Sequence, residues 1–594
     1  MQGNGIGPRN PFSQELHRKK YRQQGESFDD YCIRYARTTA DDNTHFRHLL
    51  DGLRSQAILP GGRQQRAVGW PFQTTAFNCT VGDTIPDDTR GIGNALTDSM
   101  LTLRSGAGCG WDFSTLRPHG DPIRKLGEDS YASGPVSFMG MWNTMCSTIR
   151  SAGERRGAMM AVLRVDHPNV THFITAKKDQ KSLTNFNISV GVTDEFMTAL
   201  EADSTFDLRF GGRIYQTVRA KDLWAMIMEA NWDWAEPGVL FLDRINGMNP
   251  LAYCETILAV NPCAEQPLPP NGVCLLLSLN MVKFLTPTLR SSGRRYEIDL
   301  DKFAFYTAQS VRACDNVFEN TVFPLESQKE EALAKRRMGV GVTGMANALE
   351  VCGYRYASPE YLEQQGLILS VLRNTCYETS IDMSRKKGSF PLFQADGWLE
   401  SGFAQTLPEY LREQIGRYGL RNGLLLSIAP TGTISLTADN ISSGIEPPYC
   451  LEVDRTVQMA DGPRQVALND YAYEEYGIKG RTAMETSAEE HVRVLTEAQR
   501  FVDSSISKTV NVNGVKATPV GAIGTVTFDD FKGLYLQAYN GGAKGCSTFN
   551  ANGKRAGILT ERTGTSIPSQ SLTDTVVEDS SCVVDPVSGM KTCG

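Results

Sequence analysis

The pattern of apolar and polar positions predicts strands and helices that alternate along the chain. Residues 161–165 and 186–192 are short apolar runs, which is typical of buried strands. Residues 487–502 place apolar side chains on one helical face, and Ser487 with Glu490 has the spacing of a capping box. Residues 508–512 then read as another strand. Such alternation predicts an α/β architecture.

The two ends of the chain differ from this middle part. Residues 1–60 are polar and charged, with helical periodicity over 29–54, and predict an N-terminal helical segment. Residues 61–562 carry the α/β pattern. Residues 563–594 are rich in Ser, Thr, Gly and Pro, lack periodicity and contain Cys582 and Cys593. We therefore expect a mobile C-terminal tail.

Composition narrows the class of protein. The chain has 594 residues, of which 41% are hydrophobic, and a net charge of −7. An acidic balance argues against nucleic acid and membrane surfaces as partners. Residues 1–12 have no apolar core of the kind that a signal peptide needs, and no apolar run is long enough to span a bilayer. We expect a cytoplasmic protein.

Cysteine usage agrees with a reducing compartment. The sequence has 14 cysteines but no Cys-x-x-Cys pair, and only 7 histidines. Without export, such thiols are catalytic, metal-binding or inert. The missing pairs make a structural zinc site improbable, and we predict no metal site.

The most informative motif is Asn261-Pro262-Cys263-Ala264-Glu265, which Cys274 follows. Nearby prolines exclude a regular helix, and in an extended loop residues 261, 263 and 265 would point the same way. An amide, a thiol and a carboxylate would then face one small molecule. The alternative is a proline-rich turn that holds an inert buried cysteine. We prefer the functional interpretation because three useful groups share one face.

Two glycine-containing motifs have competing interpretations. Residues 339–344 match G-x-G-x-x-G, but charged residues 330–337 precede them where a dinucleotide fold needs a strand. We predict a tight, close-packed turn there and no dehydrogenase. Residues 429–435 follow the apolar run 424–428, and their hydroxyls and glycine suit a phosphate cradle. An ordinary capping turn is the alternative for this second motif.

Two further features are weaker. Arg155 and Arg156 stand between Gly153 and Gly157, where guanidinium groups suit phosphates. A solvated surface loop is the ordinary alternative. Cys79 lies on a strand candidate, and buried and inert is its default assignment.

Taken together, these blocks resemble the catalytic chain of ribonucleotide reductases, in particular the adenosylcobalamin-dependent class II, from about Leu59 to about Leu559. The matching blocks are 261–270, 336–341, 429–435, 443–447 and 503–509. The resemblance implies a ten-stranded α/β barrel made of two antiparallel halves of five parallel strands. It also implies reduction of ribonucleotides to 2′-deoxyribonucleotides, with deoxynucleoside triphosphate (dNTP) effectors that control substrate choice.

The resemblance assigns roles to the catalytic residues. Cys263 would be the thiyl radical that abstracts the ribose 3′-hydrogen. Glu265 would be the general base on the 3′-hydroxyl, and Asn261 would orient the ribose. Cys79 and Cys274 would become a disulfide as water leaves. Cys582 and Cys593 of the tail would re-reduce that disulfide, themselves reduced by a thioredoxin or glutaredoxin-type protein.

The resemblance also suggests binding residues. Substrate would be held by Asn78, Thr431, Gly432, Thr433, Ile434 and Ser435. Residues 151–157, with Arg155 and Arg156, would relay the identity of the effector. Asp83, Arg117 and Arg124 are further candidates for effector contacts.

The chain departs from the family pattern in three places. After Cys274 it reads Leu275-Leu276-Leu277-Ser278, where the family usually has Asn-Leu-Gly-Ser. Ala264 stands where glycine is common. Cys582 and Cys593 are more widely spaced than is usual. Residues before Leu59 also lack the pattern of an ATP-binding cone, so we expect no on/off control by ATP and dATP.

Alternatives remain for the radical source and the assembly. A class I large subunit would need a separate radical-generating subunit and a tyrosine relay near its C-terminus, and no adjacent tyrosine pair occurs there. Adenosylcobalamin is therefore the expected cofactor. A non-enzymatic nucleotide sensor would not need the set Asn261, Cys263, Glu265, Cys79 and Cys274. The choice between diphosphate and triphosphate substrates, and between monomer and homodimer, stays open.

Overall fold

The fold is described from a computed structural model. It describes the chain except residues 1–5, 125–126, 128, 150–156, 180, 289–295, 460–461, 515–524, 555–558, 562–581, 585–590 and 594. Helices and strands alternate through most of the described chain, as the sequence pattern predicts.

The helices vary from five to 29 residues in length. In chain order they are α1 Pro11–Tyr21, α2 Phe28–Thr39, α3 Asn43–Arg54, α4 Gly62–Ala67, α5 Thr89–Ser105, α6 Pro135–Thr148, α7 Val170–Thr175, α8 Asp194–Glu201, α9 Ala220–Trp234, α10 Leu242–Gly247, α11 Leu300–Val317, α12 Glu326–Lys335, α13 Met345–Val351, α14 Pro359–Lys387, α15 Ala395–Leu399, α16 Glu409–Tyr418, α17 Gly432–Leu436, α18 Tyr471–Tyr476, α19 Ala488–Gln499 and α20 Phe528–Asn540.

The strands are short. In chain order they are β1 Ile58–Pro60, β2 Cys79–Val81, β3 Gly108–Asp112, β4 Met159–Arg164, β5 Phe186–Val192, β6 Thr205–Phe210, β7 Arg213–Arg219, β8 Gly238–Phe241, β9 Ala259–Val260, β10 Pro267–Leu268, β11 Val273–Asn280, β12 Leu285–Pro287, β13 Tyr296–Ile298, β14 Met338–Thr343, β15 Glu452–Met459, β16 Gly462–Asn469, β17 Thr509–Gly514, β18 Thr525–Val526, β19 Gly545–Asn550, β20 Leu559–Glu561, β21 Cys582–Val584 and β22 Lys591–Cys593.

Several predicted elements are confirmed. The apolar runs form β4 and β5, whose residues are almost all buried because helices and loops cover both faces. The helix α19 begins with the predicted capping box, in which the Ser487 hydroxyl accepts from the Glu490 N–H and the Glu490 carboxylate accepts from the Ser487 N–H. The periodic stretch 29–54 forms α2 and α3.

The first half of the central sheet consists of β2, β3, β4, β5 and β8, which run parallel in that order. The second half begins with β11 and the parallel β14. Residues 424–428 come next in this half. A parallel bridge between Leu426 and Val340 joins them to β14, and a parallel bridge between Ile428 and Ile506 joins them to the residues just before β17. Parallel β17 and β19 complete this half.

The two halves meet in antiparallel pairs at both edges. β11 pairs with β2, and β19 pairs with β8. Ten strand positions therefore follow one another, five in each direction. This arrangement confirms the fold that the resemblance implies.

The prediction for residues 339–344 is wrong in one respect. These glycines do not form a turn, because Gly339 and Gly341 lie within strand β14. The prediction of close packing is correct: a Cβ at position 341 would stand 2.1 Å from the Ser427 carbonyl oxygen. The glycines therefore let two strands approach each other, and only Gly344, with φ +73°, leaves the strand to start α13.

The N-terminal segment packs against helix α17 and the residues that follow it. The Ser13 hydroxyl of α1 donates to the Leu436 carbonyl oxygen at 2.6 Å, and the backbone N–H of Asn10 donates to Asp439 at 2.8 Å. The Gln56 amide donates to the Thr437 carbonyl oxygen at 3.0 Å. These hydrogen bonds connect the N-terminal segment to helix α17 and to the residues that follow it. Among the described helices, none combines the length and apolar character that a membrane crossing requires.

Candidate active site

Residues 261–266 form a tight turn between the antiparallel strands β9 and β10. The Asn261 N–H donates to the Gln266 carbonyl oxygen at 3.0 Å, and the Gln266 N–H donates to the Asn261 side-chain oxygen at 2.9 Å. Ala264 has φ +64°, a left-handed conformation that glycine adopts without strain. The extended backbone predicted from the sequence is therefore wrong, since the cross-turn hydrogen bonds and not strand alternation orient the side chains.

Both halves of the sheet hold this turn. On one side Gly110 passes so close that a Cβ there would stand 1.8 Å from the Val260 carbonyl oxygen. The Asn187 amide donates to the Pro262 carbonyl oxygen at 2.9 Å. On the other side the Ser427 hydroxyl and the Ser505 N–H donate to the Glu265 carbonyl oxygen at 3.0 and 3.1 Å. The turn therefore lies between the two halves.

The supporting residues Gly110, Asn187, Ser427 and Ser505 were not predicted as site residues. Ser505 belongs to the 503–509 block that carries part of the resemblance, which was a usable signal. Nothing in the sequence near Gly110 or Asn187 indicates that they contact residues about 75 to 150 positions away.

The Cys79 thiol contacts the side chains of both Asn261 and Glu265. The Asn261 amide nitrogen lies 3.0 Å from the Cys79 sulfur, and that thiol donates to Glu265 Oε1 at 3.5 Å. Cys79 and Cys274 are direct partners in the antiparallel pair of β2 and β11. Directly opposite residues of such a pair have Cα atoms about 4.5–5.5 Å apart, within the range that a disulfide requires.

The site is shielded from solvent. Asn261, Cys263, Glu265 and Cys274 have no exposed surface, and Cys79 is 3% exposed. Burial raises the pKa of the Cys79 and Cys274 thiols well above their ordinary value, and for Cys79 the nearby Glu265 raises it further. Both groups are therefore protonated thiols at neutral pH, able to give hydrogen.

Cys263 lies at the tip of the turn and packs against Ala158. The structure brings Asn261 and Glu265 together at Cys79, with Cys263 two positions from each along the turn.

The predicted phosphate loop ends the strand-like segment 424–428 and leads into α17, as expected from the sequence. The Thr431 hydroxyl lies 2.9 Å from that of Thr343 and 3.1 Å from that of Ser435, and the Gly444 N–H donates to it at 2.8 Å. Thr431, Gly432, Ile434 and Ser435 are buried and Thr433 is partly buried. Asn78, also partly buried, precedes Cys79 on the other half of the sheet.

A buried ion pair fixes the segment that contacts this loop. Lys508 Nζ donates to Glu446 Oε2 at 2.6 Å and lies 3.0 Å from His491 Nδ1. The second oxygen of Glu446 accepts from the Thr509 N–H at 2.6 Å. Glu446 is two residues beyond Gly444, whose N–H donates to the Thr431 hydroxyl. The ion pair therefore anchors the segment that contacts the phosphate loop. Sequence reasoning included Glu446 and Lys508 only as parts of matching blocks.

Three of the five predicted effector residues lie among the described residues. Asp83 and Arg124 are exposed, and Arg117 is paired with Asp87 at 2.7 Å. Arg155 and Arg156 lie outside the described residues. The effector assignment of all five residues stays a prediction.

The two tail cysteines occupy opposite positions on paired strands. β21 and β22 form an antiparallel pair in which Cys582 is the direct partner of Cys593. β22 lies against helix α17 of the phosphate loop. The wide spacing of these residues in sequence is therefore the spacing of a hairpin. The rest of the predicted mobile tail lies outside the described residues.

Comparison with known proteins agrees with this geometry. Residues 77–549 match the family model described as "Ribonucleotide reductase, barrel domain". The chain is 31% identical to the vitamin B12-dependent ribonucleoside-diphosphate reductase of Thermoplasma acidophilum, over 94% of this chain and 72% of the relative. It is 32% identical to the protein of the same name in Mycobacterium tuberculosis, over 80% of this chain and 68% of the relative. A ribonucleoside-diphosphate reductase subunit alpha from Chlamydia muridarum is 24% identical, over 62% of this chain and 40% of the relative. The chain belongs to the ribonucleotide reductase family.

Proposed function

We propose that this chain reduces ribonucleotides to 2′-deoxyribonucleotides through a thiyl radical on Cys263. The observation that carries the proposal is the buried turn that holds Asn261, Cys263 and Glu265 beside two thiols in direct register. Adenosylcobalamin is the cofactor, in agreement with the names of the relatives. The bound cofactor would supply radical chemistry, and Cys263 is the residue that would give up its thiol hydrogen atom to start the reaction.

The remaining chemistry belongs to the protein side chains. The Cys263 radical takes the 3′-hydrogen of the ribose, and Glu265 accepts the 3′-hydroxyl proton while Asn261 orients the sugar. The 2′-hydroxyl leaves as water with a proton from the Cys79–Cys274 pair. That pair gives two electrons and two protons in total and becomes a disulfide. Cys263 returns its hydrogen to C3′, and Glu265 returns its proton to the 3′-oxygen. The second proton and the two electrons of the thiol pair form the new C–H bond at C2′, so this pair is the net reductant. Burial keeps the radical from water.

The phosphate loop and the tail complete the cycle in this proposal. Thr431 to Ser435, with Asn78, would hold the substrate. The hairpin of Cys582 and Cys593 against α17 supports a route by which tail thiols reduce the Cys79–Cys274 disulfide. A thioredoxin or glutaredoxin-type protein would then reduce the tail. Control of substrate choice by dNTP effectors, and assembly as a homodimer, are parts of the proposal that rest on the resemblance alone.

The test is reduction of a ribonucleoside diphosphate by the purified chain with a dithiol reductant, with and without adenosylcobalamin. We expect activity only with the cofactor and without a second protein. Cys263→Ser should abolish reduction, because an alcohol O–H bond is too strong to give its hydrogen, while equilibrium dialysis shows unchanged substrate binding. Multiple turnovers by Cys263→Ser would refute the radical assignment. Activity that requires a metal-containing subunit and ignores cobalamin would favour the class I alternative.

A further inference from the structure

The two thiols of the candidate reductant pair lie in different electrostatic surroundings. Cys79 is beside an acid, since its sulfur lies 3.5 Å from Glu265 Oε1. After burial, Glu265 is the largest influence that raises the pKa of the Cys79 thiol. Burial also raises the pKa of the Cys274 thiol, but there the next largest influence is the positive charge of Arg337, which lowers it and acts more strongly than Glu265. The local charges therefore favour a thiolate on Cys274 over a thiolate on Cys79.

The register of two strands explains why Arg337 acts on Cys274. Strands β11 and β14 run parallel, with Leu275 directly opposite Met338. Cys274 and Arg337 each come one residue earlier in the chain. The two residues therefore occupy neighbouring positions at the start of adjacent strands.

Both side chains begin on the inner face of the sheet. Leu276, two residues after Cys274, belongs to the buried cluster that also contains Cys274. A Cβ at Gly339, two residues after Arg337, would stand 2.8 Å from Leu276 Cδ2 and 2.5 Å from Gln266 Nε2 of the catalytic turn. Because side chains alternate along a strand, Arg337 and Cys274 share the face that looks toward this turn.

Arg337 is a buried cation that its ion pairs do not use completely. It is 1% exposed, and its terminal nitrogens bind Glu255 at 2.7 Å and Glu331 at 3.0 Å. Lys335 pairs with the same two acids at 2.8 and 3.1 Å. The Nε of Arg337 has no hydrogen-bond partner among the described residues. Two acids and two cations therefore hold the guanidinium in place and leave one of its buried N–H groups available to an anion.

We propose that Arg337 makes Cys274 the leaving sulfur when the Cys79–Cys274 disulfide is reduced, so that the incoming thiolate attacks Cys79. The inference rests on the proposed function of this pair. In thiol–disulfide exchange, the sulfur that carries negative charge more easily leaves faster. Access favours the same direction, because Cys79 is 3% exposed and Cys274 has no exposed surface.

The exchange balances in two steps. An incoming thiolate, from the tail or from a small dithiol, forms a bond to the Cys79 sulfur while the bond between Cys79 and Cys274 breaks. Cys274 leaves with the electron pair beside Arg337 and then takes up a proton. The second incoming thiolate attacks the first incoming sulfur, and Cys79 leaves and takes up a proton. The incoming pair is thereby oxidised to a disulfide, and Cys79 and Cys274 are reduced to thiols.

Trapping of the mixed disulfide tests the direction of attack. The full chain with Cys263→Ser, Cys582→Ser and Cys593→Ser keeps Cys79 and Cys274 as the thiols of the proposed cycle. Diamide oxidises it, so the test needs neither cofactor nor substrate. After a short reaction with 2-mercaptoethanol, unfolding in excess N-ethylmaleimide labels the freed sulfur, and mass spectrometry of peptides locates both groups. We expect mercaptoethanol on Cys79 and maleimide on Cys274, by at least about tenfold over the reverse pattern.

Two double variants of this chain separate charge from access. Arg337→Gln/Glu255→Gln removes one cation and one acid, and leaves Lys335 paired with Glu331. The matched control, Lys335→Met/Glu255→Gln, also removes one of each but leaves Arg337 paired with Glu331. The preference should fall at least about tenfold in the first variant and stay within about twofold in the control. An equal preference in both variants, or mercaptoethanol mainly on Cys274 before either change, would overturn the role of Arg337.

The result can be distinguished from a failure of the proposed function. Mercaptoethanol mainly on Cys274, when the wild-type chain reduces ribonucleotides, would refute only this inference. Multiple turnovers by Cys274→Ser would refute the Cys79–Cys274 pair as the reductant, and with it both the proposed function of the pair and the inference.

Discussion

The buried pair of Lys508 and Glu446 gives the sharpest test of how the phosphate loop is held. Lys508 is fully buried at its side chain, and Glu446 is 6% exposed there. Burial lowers the pKa of Lys508, and Glu446 opposes that shift. Burial and the neighbouring Lys508 lower the pKa of His491 well below its ordinary value, so His491 stays neutral and accepts at Nδ1 while its Nε2 donates to the Ala483 carbonyl oxygen at 3.0 Å.

Lys508→Met removes the charge but keeps the length of the side chain. Glu446 then keeps only the Thr509 N–H and remains a buried carboxylate without a counter-ion. Removing one partner of such a pair costs about 3–5 kcal/mol. Local opening of residues 440–448 should become easier by that amount, a roughly hundredfold to several-thousandfold rise in hydrogen-exchange rate. The Gly444 N–H, which donates to Thr431, reports this directly.

The assay is hydrogen exchange of the folded protein, followed by mass spectrometry of peptides that cover 440–448. The double variant Lys508→Met/Glu446→Gln should exchange much closer to the wild-type rate, because it leaves no unpaired charge and the new amide oxygen can still accept from the Thr509 N–H. Lys329→Met is the control, since Lys329 is 44% exposed in its pair with Glu326 and such pairs contribute at most about 1 kcal/mol. Unchanged exchange in Lys508→Met would refute the anchoring role.

Two further predictions concern the tail and a buried acid. With thioredoxin as the reductant, Cys582→Ser/Cys593→Ser should complete one turnover and then stop. A small dithiol should restore repeated turnover, because only small molecules reach the buried pair of Cys79 and Cys274. Normal turnover of this variant with thioredoxin would contradict the prediction. Glu350→Gln tests a pH dependence, because burial raises the pKa of Glu350 to about 7 from 4.5. The folded wild type then binds more protons than the unfolded chain between these values, so its stability relative to the variant should fall by about 3 kcal/mol as pH rises from about 4.5 to 7. Thermal unfolding of both proteins across this range measures the difference, and a constant gap would refute the shifted pKa.

Much of the fold was predictable because its signals are local. The runs that form β4 and β5 are buried on both faces, and the capping box of α19 needs only Ser487 and Glu490. The motif at 261–265 shows by residue type that an amide, a thiol and a carboxylate lie within five residues. The backbone conformation there was not predictable, since the turn depends on hydrogen bonds between Asn261 and Gln266 rather than on alternation.

Residue types and short spacings are enough to identify the chemical groups of the candidate site: a thiol between an amide and a carboxylate, further thiols, and a hydroxyl-rich loop after an apolar run. Such information is local because it depends on residue type and short spacing. The three-dimensional structure adds the register that places Cys79 opposite Cys274, as the resemblance implies. It also adds the contacts of Gly110 and Ser427 with the turn and the pairing of Lys508 with Glu446. These contacts join residues that are far apart in the chain, and they form because burial leaves polar groups no partner except one another.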